Sequence, residues 1–157
     1  MAPVSVRRAQ RTEAGEISDL IVRLKRLNNE FDPLFGVVRD VKDRADKYVA
    51  DSFGRNDILL LVAVSGKKVV GVIRAEIRQR LFYEPNTEGR ITDMYILPEH
   101  RRKTLGEEML AMASAELMRM GAEIIVGDLP SRNEIGLHFY TKRGFRRLVE
   151  SYAKMPQ

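Results

Sequence analysis

The chain has 157 residues, about the length of one domain, and no linker rich in Pro, Gly or Ser divides it. Apolar residues (44%) suffice for a core, the net charge of +5 favours an anionic partner, and the absence of cysteine excludes disulfides, thiol nucleophiles and cysteine-bound metals. The longest apolar run, residues 58–64, is too short to span a membrane. We therefore expect one soluble, cytoplasmic domain over residues 1–157, with no membrane partner.

The first third of the chain predicts one strand and two helices. Residues 4–9 alternate loosely between apolar and polar side chains, which is typical of a short strand. Apolar side chains recur at helical spacing over residues 17–27, with Thr12 as the expected N-cap. Residues 28–36 form a connector that contains Pro and Gly, and a second helical pattern covers residues 38–52.

From residue 58 onward the pattern changes between strand and helix. Short β-branched runs predict strands, and Gly121 and Gly144 are placed to end helices. The resulting order of elements predicts an α/β fold with a mixed sheet flanked by helices. The predicted strands are 58–64, 69–77, 91–97, 123–128 and one or two within 145–155, and the predicted helices are 105–120 and 133–143.

A basic segment lies where the predicted strand 91–97 gives way to a helix. Arg101, Arg102 and Lys103 precede the helical pattern directly. The first N–H groups of a helix have no partner within it and form its positive end, so they and the three cations favour a pyrophosphate site. Thr104 adds a hydroxyl donor, and Gly106 leaves room for a phosphate. A solvated run of charge before a helix explains the same residues equally well.

A second pair of polar residues falls on the helix predicted after the next strand. Asn133 and Tyr140 are seven residues apart, which is two helical turns, so they share one face. They offer an amide and a phenol to the groove between the two strand–helix units. The alternatives are a helix N-cap for Asn133 and a packing role for Tyr140.

These two segments, in this order of elements, resemble the GNAT superfamily of acetyl-CoA-dependent N-acetyltransferases. The cofactor motif of that family, a strand end followed by Pro-Glu and Arg-x-x-Gly-x-Gly, is similar to residues 96–106. Its second signature, Asn, then Tyr, then Gly-Phe, is similar to Asn133, Tyr140 and Gly144-Phe145. The resemblance implies a GNAT-like α/β (α+β) fold, with a mixed central sheet of six to seven strands flanked by about four helices.

The resemblance also implies acetyl-CoA as co-substrate, without a metal, in the opening between two splayed parallel strands. Backbone groups of residues 95–97 would pair with the pantetheine arm and polarise the thioester carbonyl, and residues 101–107 would hold the pyrophosphate. The cofactor-binding residues implied in this way are Tyr95, Ile96, Leu97, Arg101, Arg102, Lys103, Thr104, Leu105, Gly106, Glu107, Asn133 and Tyr140.

For the chemistry, the resemblance implies direct transfer of acetyl to a primary amine in a ternary complex. Tyr140 would protonate the departing thiolate. The amine, which is mostly protonated at neutral pH, must first lose a proton. Asp93 is the first candidate for that base, with Glu88 and Asp128 behind it, and an ion pair with an arginine is the alternative for each.

One departure from the family pattern keeps other functions open. Thr104 stands where the motif has its first glycine, and a β-branched residue disfavours positive φ and crowds a phosphate. A CoA-binding regulatory domain without turnover is therefore one alternative. The other is a basic nucleic-acid-binding module, although the cations scatter along the helices and no RNA-binding aromatic signature is present.

The family also indicates which segments face the acceptor. Residues 27–37 and 79–90 are implied to form that side, and the acceptor is the amine of a small molecule or of a protein. Members of the family are often dimers, and the oligomeric state stays open here; the final predicted strand, with Tyr152 and Met155, is the candidate edge for a homodimer.

Overall fold

The computed structural model describes residues 3–101 and 103–157, and this part of the chain forms one five-stranded sheet with four α-helices. No helix in these residues is long and apolar enough to cross a membrane. The elements are β1 (Val4–Arg8), α1 (Ala14–Phe31), α2 (Val41–Phe53), β2 (Ile58–Ser65), β3 (Lys68–Gln79), β4 (Thr87–Ile96), α3 (Lys103–Arg119), β5 (Ile124–Gly127) and α4 (Glu134–Lys142).

The strands follow chain order across the sheet, β1-β2-β3-β4-β5. Neighbouring strands are antiparallel except for β4 and β5, which are parallel and joined through α3. Such a connection needs a crossover, and α3 supplies it. The mixed α/β architecture and the number of helices agree with the sequence prediction.

Helices cover both faces of the sheet. The run Ile58–Val64 of β2 is buried along its length, as expected for a strand with helices on either side. On β3, Gly71 packs against Met109 of α3, whereas Arg74, three residues later, lies under Tyr48 of α2. Alternate residues of a strand face opposite sides, so α2 and α3 lie on opposite faces. We call the side covered by α1 and α2 the acceptor face, and the other side the α3 face.

The prediction of a final strand in residues 145–155 is wrong, and the sheet has five strands rather than six to seven. Residues 146–157 contain no helix or strand, and their side chains are exposed, Tyr152 to 90%. The local alternation of apolar and charged residues fits a strand, but a strand also needs a neighbour to accept its hydrogen bonds. The homodimer expected from this segment stays a prediction.

Two boundaries also differ from the sequence prediction. Thr12 does not cap α1: it lies within a 3-10 turn, Arg11–Glu13, where the Glu13 carboxylate accepts a hydrogen bond from the backbone N–H of Gln10. β4 begins at Thr87 rather than Ile91, because residues 87–90 pair with the end of β3. The loop between these strands is therefore confined to residues 80–86.

Candidate active site

A β-bulge in β4 opens a gap between β4 and β5. Arg74 of β3 pairs with Asp93 and the next residue, Ala75, pairs with Ile91, so Thr92 is the extra residue. β4 pairs with β5 only up to Ile91, whose carbonyl accepts from the N–H of Asp128 at 3.1 Å. Beyond that point β4 continues along β3 while the chain after β5 turns toward α4. We call the resulting opening the β4–β5 gap.

The same bulge decides which side chains face the acceptor face. Before the bulge, a Cβ added to Gly89 would contact Leu117 of α3, so this position points to the α3 face. Successive residues of a strand alternate between the two faces, so the neighbours Glu88 and Arg90 point to the acceptor face. A regular strand would turn Asp93 to the α3 face. Because of the extra residue, Asp93 instead lies on the acceptor face, beside α1 and α2.

Asp93 is held in a buried polar cluster. Its side chain has no exposed surface, and its carboxylate accepts from Lys25 Nζ at 2.6 Å and from the Tyr48 hydroxyl at 2.5 Å. Thr92 donates to the same carboxylate at 2.9 Å. Burial and the Asp93 charge raise the pKa of Tyr48 above its ordinary value, so its hydroxyl remains a donor. Buried Arg74, stacked on the Tyr48 ring, completes the cluster.

The other two candidate bases share one arginine. Arg90 Nε donates to Glu88 at 2.6 Å, and Arg90 Nη1 donates to Asp128 at 2.6 Å. Glu88 is buried, whereas the side chain of Asp128 is half-exposed. Both carboxylates are therefore partners in an ion-pair network, as the alternative interpretation of these residues expected.

Tyr140 approaches the gap from the α3 face. Its ring packs edge-on against Phe139 and Phe145, and a Cβ built on Gly127 would lie 2.8 Å from its hydroxyl. Gly127 is paired with Ile91, so the phenol sits where β4 and β5 separate. No hydrogen bond joins this hydroxyl to another described residue. Burial, followed by the nearby Asp128 charge, raises the pKa of Tyr140 to about 12.

Asn133 caps α4. Its side-chain Oδ1 accepts from the N–H of Gly136 at 2.9 Å, which is the capping role considered from the sequence. Gly136 is required there because an added Cβ would lie 2.8 Å from Asn133 Nδ2. The cap uses the amide oxygen, and Nδ2 forms no hydrogen bond with another described residue.

The predicted anion segment forms the start of α3. Arg101 precedes it, donates through Nε to the carbonyl of Ile96 at 2.7 Å, and stacks on the ring of Tyr95. Arg102 lies outside the described residues, and α3 begins at Lys103. Thr104 is exposed in the first helical turn. Its helical backbone requires no positive φ, which removes the conformational objection to a threonine at this position.

The remaining residues of this segment are mainly helix–helix contacts. Leu105 is buried, and Glu107 forms an ion pair at 2.6 Å with Arg143, the residue that follows α4. An added Cβ at Gly106 would lie 3.0 Å from the ring of Phe139. The glycine therefore allows α3 and α4 to approach, a different reason from the room for a phosphate that the sequence suggested. Ile96 and Leu97, at the end of β4, are buried.

The two segments expected to face the acceptor differ in their surroundings: one contacts the loop before α4, and the other projects into solvent. Asp32, at the end of α1, lies 3.7 Å from Arg132 in the loop before α4, so the α1–α2 connector reaches the open end of the gap. Phe82 and Tyr83, in the loop 80–86, project into solvent and wall no pocket. No local sequence signal marks Lys25 or Tyr48, because neither stands near a motif and only the packing of α1 and α2 brings them to β4.

Comparisons with known proteins agree with this geometry. The family model of the acetyltransferase (GNAT) family matches residues 24–145. A search of curated proteins finds no match. Among solved structures, the aminoglycoside N-acetyltransferase AAC(6')-Iy in complex with CoA is 13% identical, with a TM-score of 0.77 over 100% of this chain and 97% of that chain.

Two further structures share the fold. A predicted acetyltransferase with acetyl-CoA from Clostridium acetobutylicum is 16% identical, with a TM-score of 0.78 over 98% of this chain and 96% of that one. A transcriptional regulator from Bacillus halodurans C-125 is 18% identical, with a TM-score of 0.76 over 98% of this chain and 99% of that one. The family model spans most of the chain, including both strands of the gap, and the protein belongs to the GNAT family of acetyltransferases.

Proposed function

We propose that the protein transfers an acetyl group from acetyl-CoA to a primary amine by direct attack in a ternary complex. The observation that carries the proposal is the β4–β5 gap, with Tyr140 against one face and the buried Asp93 carboxylate on the other. A thioester placed in the gap would have a proton donor and a carboxylate on opposite sides. That is the arrangement which an amine attack and the departure of a thiolate require.

The strand register supports a place for the pantetheine arm. Leu97 donates its N–H to the carbonyl of Val70 on β3 at 2.8 Å. Along an antiparallel strand, the backbone N–H groups point alternately toward the neighbouring strand and away from it. Because the N–H of Leu97 points toward β3, those of Met94 and Ile96 point away from β3 and into the gap. These are the groups we assign to pair with the arm and to polarise the thioester carbonyl. Tyr95 and Leu97, expected to share this role, direct their backbone bonds to β3.

The pyrophosphate is assigned to the start of α3. That helix end carries N–H groups without partners in the helix, and the sequence of residues 101–103 is rich in cations; both features favour an anion. Thr104, exposed in the first turn, adds a hydroxyl. We retain Asn133 as a contact of the pantetheine arm through its Nδ2.

For the chemistry, we propose Asp93 as the group that binds the acceptor ammonium and receives its proton. Lys25 must then move away, and its long, 40% exposed side chain permits that. The amine nitrogen attacks the carbonyl carbon, the carbon–sulfur bond breaks, and Tyr140 protonates the sulfur. The raised pKa of Tyr140 keeps the phenol protonated and able to donate.

The acceptor proposed here is a cationic amine, because two carboxylates, Asp93 and Asp128, lie where β4 and β5 separate. Similar folds include aminoglycoside N-acetyltransferases and a ribosomal-protein-alanine N-acetyltransferase from Brucella melitensis. An aminoglycoside, a polyamine and a peptide with N-terminal alanine therefore form the acceptor panel.

The proposal is tested by calorimetric titration with acetyl-CoA, with dephospho-CoA as control, followed by the acceptor panel. Saturable binding of acetyl-CoA and release of free CoA with one of the amines are expected. Binding without transfer to any amine would favour the CoA-binding regulatory domain. Absence of binding would contradict the assigned cofactor site.

Arg101→Ala is expected to weaken acetyl-CoA binding about tenfold or more, since one charge-assisted contact to a phosphate is lost. The measurement is the Kd by calorimetry. Arg55→Ala is the control, because Arg55 is also an exposed arginine but pairs with Asp57 and lies before β2, at the opposite end of the sheet. Equal affinities of the Arg101 variant and the parent would remove Arg101 from the cofactor site.

Gly127→Ala is expected to lower kcat and to cost about 1–3 kcal/mol of stability, since the new Cβ would overlap the Tyr140 ring. Phe139 and Phe145 hold that ring on both sides, so it cannot move freely. Turnover and urea denaturation measure the two effects. Gly15→Ala on α1, where a Cβ meets nothing within 4 Å, should be neutral or stabilising. Unchanged turnover in Gly127→Ala would contradict the assigned position of the phenol.

A further inference from the structure

The chain carries a primary amine of its own at the carboxylate assigned to the acceptor. Lys25, on the side of α1 that faces β4, places Nζ 2.6 Å from Asp93 Oδ1. Asp93 is entirely buried, whereas Lys25 is 40% exposed and enters from the acceptor face. The ammonium of Lys25 thus occupies the position that an acceptor ammonium would take.

This ion pair lies beside the gap. Asp93 is two residues beyond Ile91, the last residue of β4 that pairs with β5. Met94, the next residue, directs its N–H into the gap. A thioester polarised by that N–H would lie next to the carboxylate that binds Lys25, so an acetyl group and the lysine amine would share one site.

We propose that Lys25 is a self-acetylation site of this protein, an inference that rests on the proposed acetyl transfer. The amine of Lys25, after losing a proton to Asp93 or to solvent, attacks the thioester carbonyl. A carbon–nitrogen bond forms, the carbon–sulfur bond breaks, and the CoA thiolate takes its proton from Tyr140. The second proton of the amine leaves the nitrogen to solvent, and the phenolate of Tyr140 regains a proton from solvent. The products are N-acetyl-Lys25 and free CoA. Acetylation removes the charge of Lys25 and leaves Asp93 to an external ammonium.

Lys42 supplies a matched internal control. It is 48% exposed and ion-paired with Asp46 at 2.8 Å, much as Lys25 is with Asp93, but its acidic partners, Asp46 and Asp19, lie on α2 and α1 rather than on β4. The full chain is incubated with acetyl-CoA without any acceptor, and peptide mass spectrometry follows acetylation of both lysines with time. Lys25 is expected to react at least about tenfold faster than Lys42, at a rate independent of protein concentration.

The Tyr140→Phe variant separates catalysis from chemical acetylation by acetyl-CoA. In that variant the rate at Lys25 should fall while the rate at Lys42 stays the same. Equal rates at the two lysines of the parent protein, or a Lys25 rate that rises with protein concentration, would overturn the proposal. If Lys25 stays unmodified while an amine of the acceptor panel is acetylated, only this inference fails. If acetyl-CoA neither binds nor acetylates any amine, the proposed function fails with it.

Discussion

Tyr140→Phe should lower kcat by about 10²-fold or more while changing the Kd for acetyl-CoA little. The substitution removes one hydroxyl, and general acid catalysis typically contributes 10²–10⁴-fold. The ring keeps its packing against Phe139 and Phe145, so the fold should not change. Turnover with an acceptor amine and calorimetry with acetyl-CoA measure the two quantities.

Tyr152→Phe is the control for this change, because that side chain is 90% exposed and its hydroxyl donates to Glu150. Its kcat should equal that of the parent protein. If Tyr140→Phe also turns over normally, Tyr140 is a packing residue, the alternative that its amphipathic position suggested.

The pH dependence gives a second test of Tyr140. Burial raises its pKa from 10.0 to about 12, so the neutral, proton-donating form persists as the pH rises through 10. Ultraviolet difference titration of the parent protein and of Tyr140→Phe should therefore differ by one phenol that ionises near pH 12. A difference that titrates near pH 10 would contradict the buried position of this phenol.

Asp93→Asn should destabilise the protein by about 2–3 kcal/mol. The change keeps the shape of the side chain but removes a buried charge that accepts hydrogen bonds from Lys25, Tyr48 and Thr92. In the variant, the Lys25 ammonium can turn to solvent. The loss of stability is therefore smaller than for an ion pair in which both partners are fully buried. Urea denaturation of the free protein measures the difference in the free energy of unfolding, independently of any activity.

Asp46→Asn is the matched control for stability. Asp46 also accepts from a lysine, Lys42, and from a hydroxyl, that of Ser18, but it is half-exposed on α2. Surface ion pairs contribute little to the free energy of unfolding, so Asp46→Asn should destabilise the protein much less than Asp93→Asn does. Equal losses for the two variants would show that burial of Asp93 contributes nothing to its ion pair.

Much of the fold could be predicted from the sequence, because the relevant signals are local. Apolar spacing predicted α1, α2 and α3, and Gly121 and Gly144 adopt positive φ after α3 and α4 as their placement suggested. The basic segment before α3 was found from three successive cations. Residues 145–155 show the limit of local signals. Their alternation of apolar and charged side chains fits a strand, but they pair with no neighbouring strand of the described sheet.

The sequence by itself determined the order of elements from β1 to α4, the family signatures, and the placement of Tyr140 on α4 and of a basic segment at the start of α3. Only the tertiary structure decided which face of the sheet Asp93 occupies and which side chains it contacts. One extra residue, Thr92, changes which face every later side chain of β4 occupies, and no local pattern records an insertion relative to a neighbouring strand. Lys25 and Tyr48 reach Asp93 from 68 and 45 positions away, through packing of α1 and α2 on that face. Contacts of such separation depend on the whole fold, and so does the site they form.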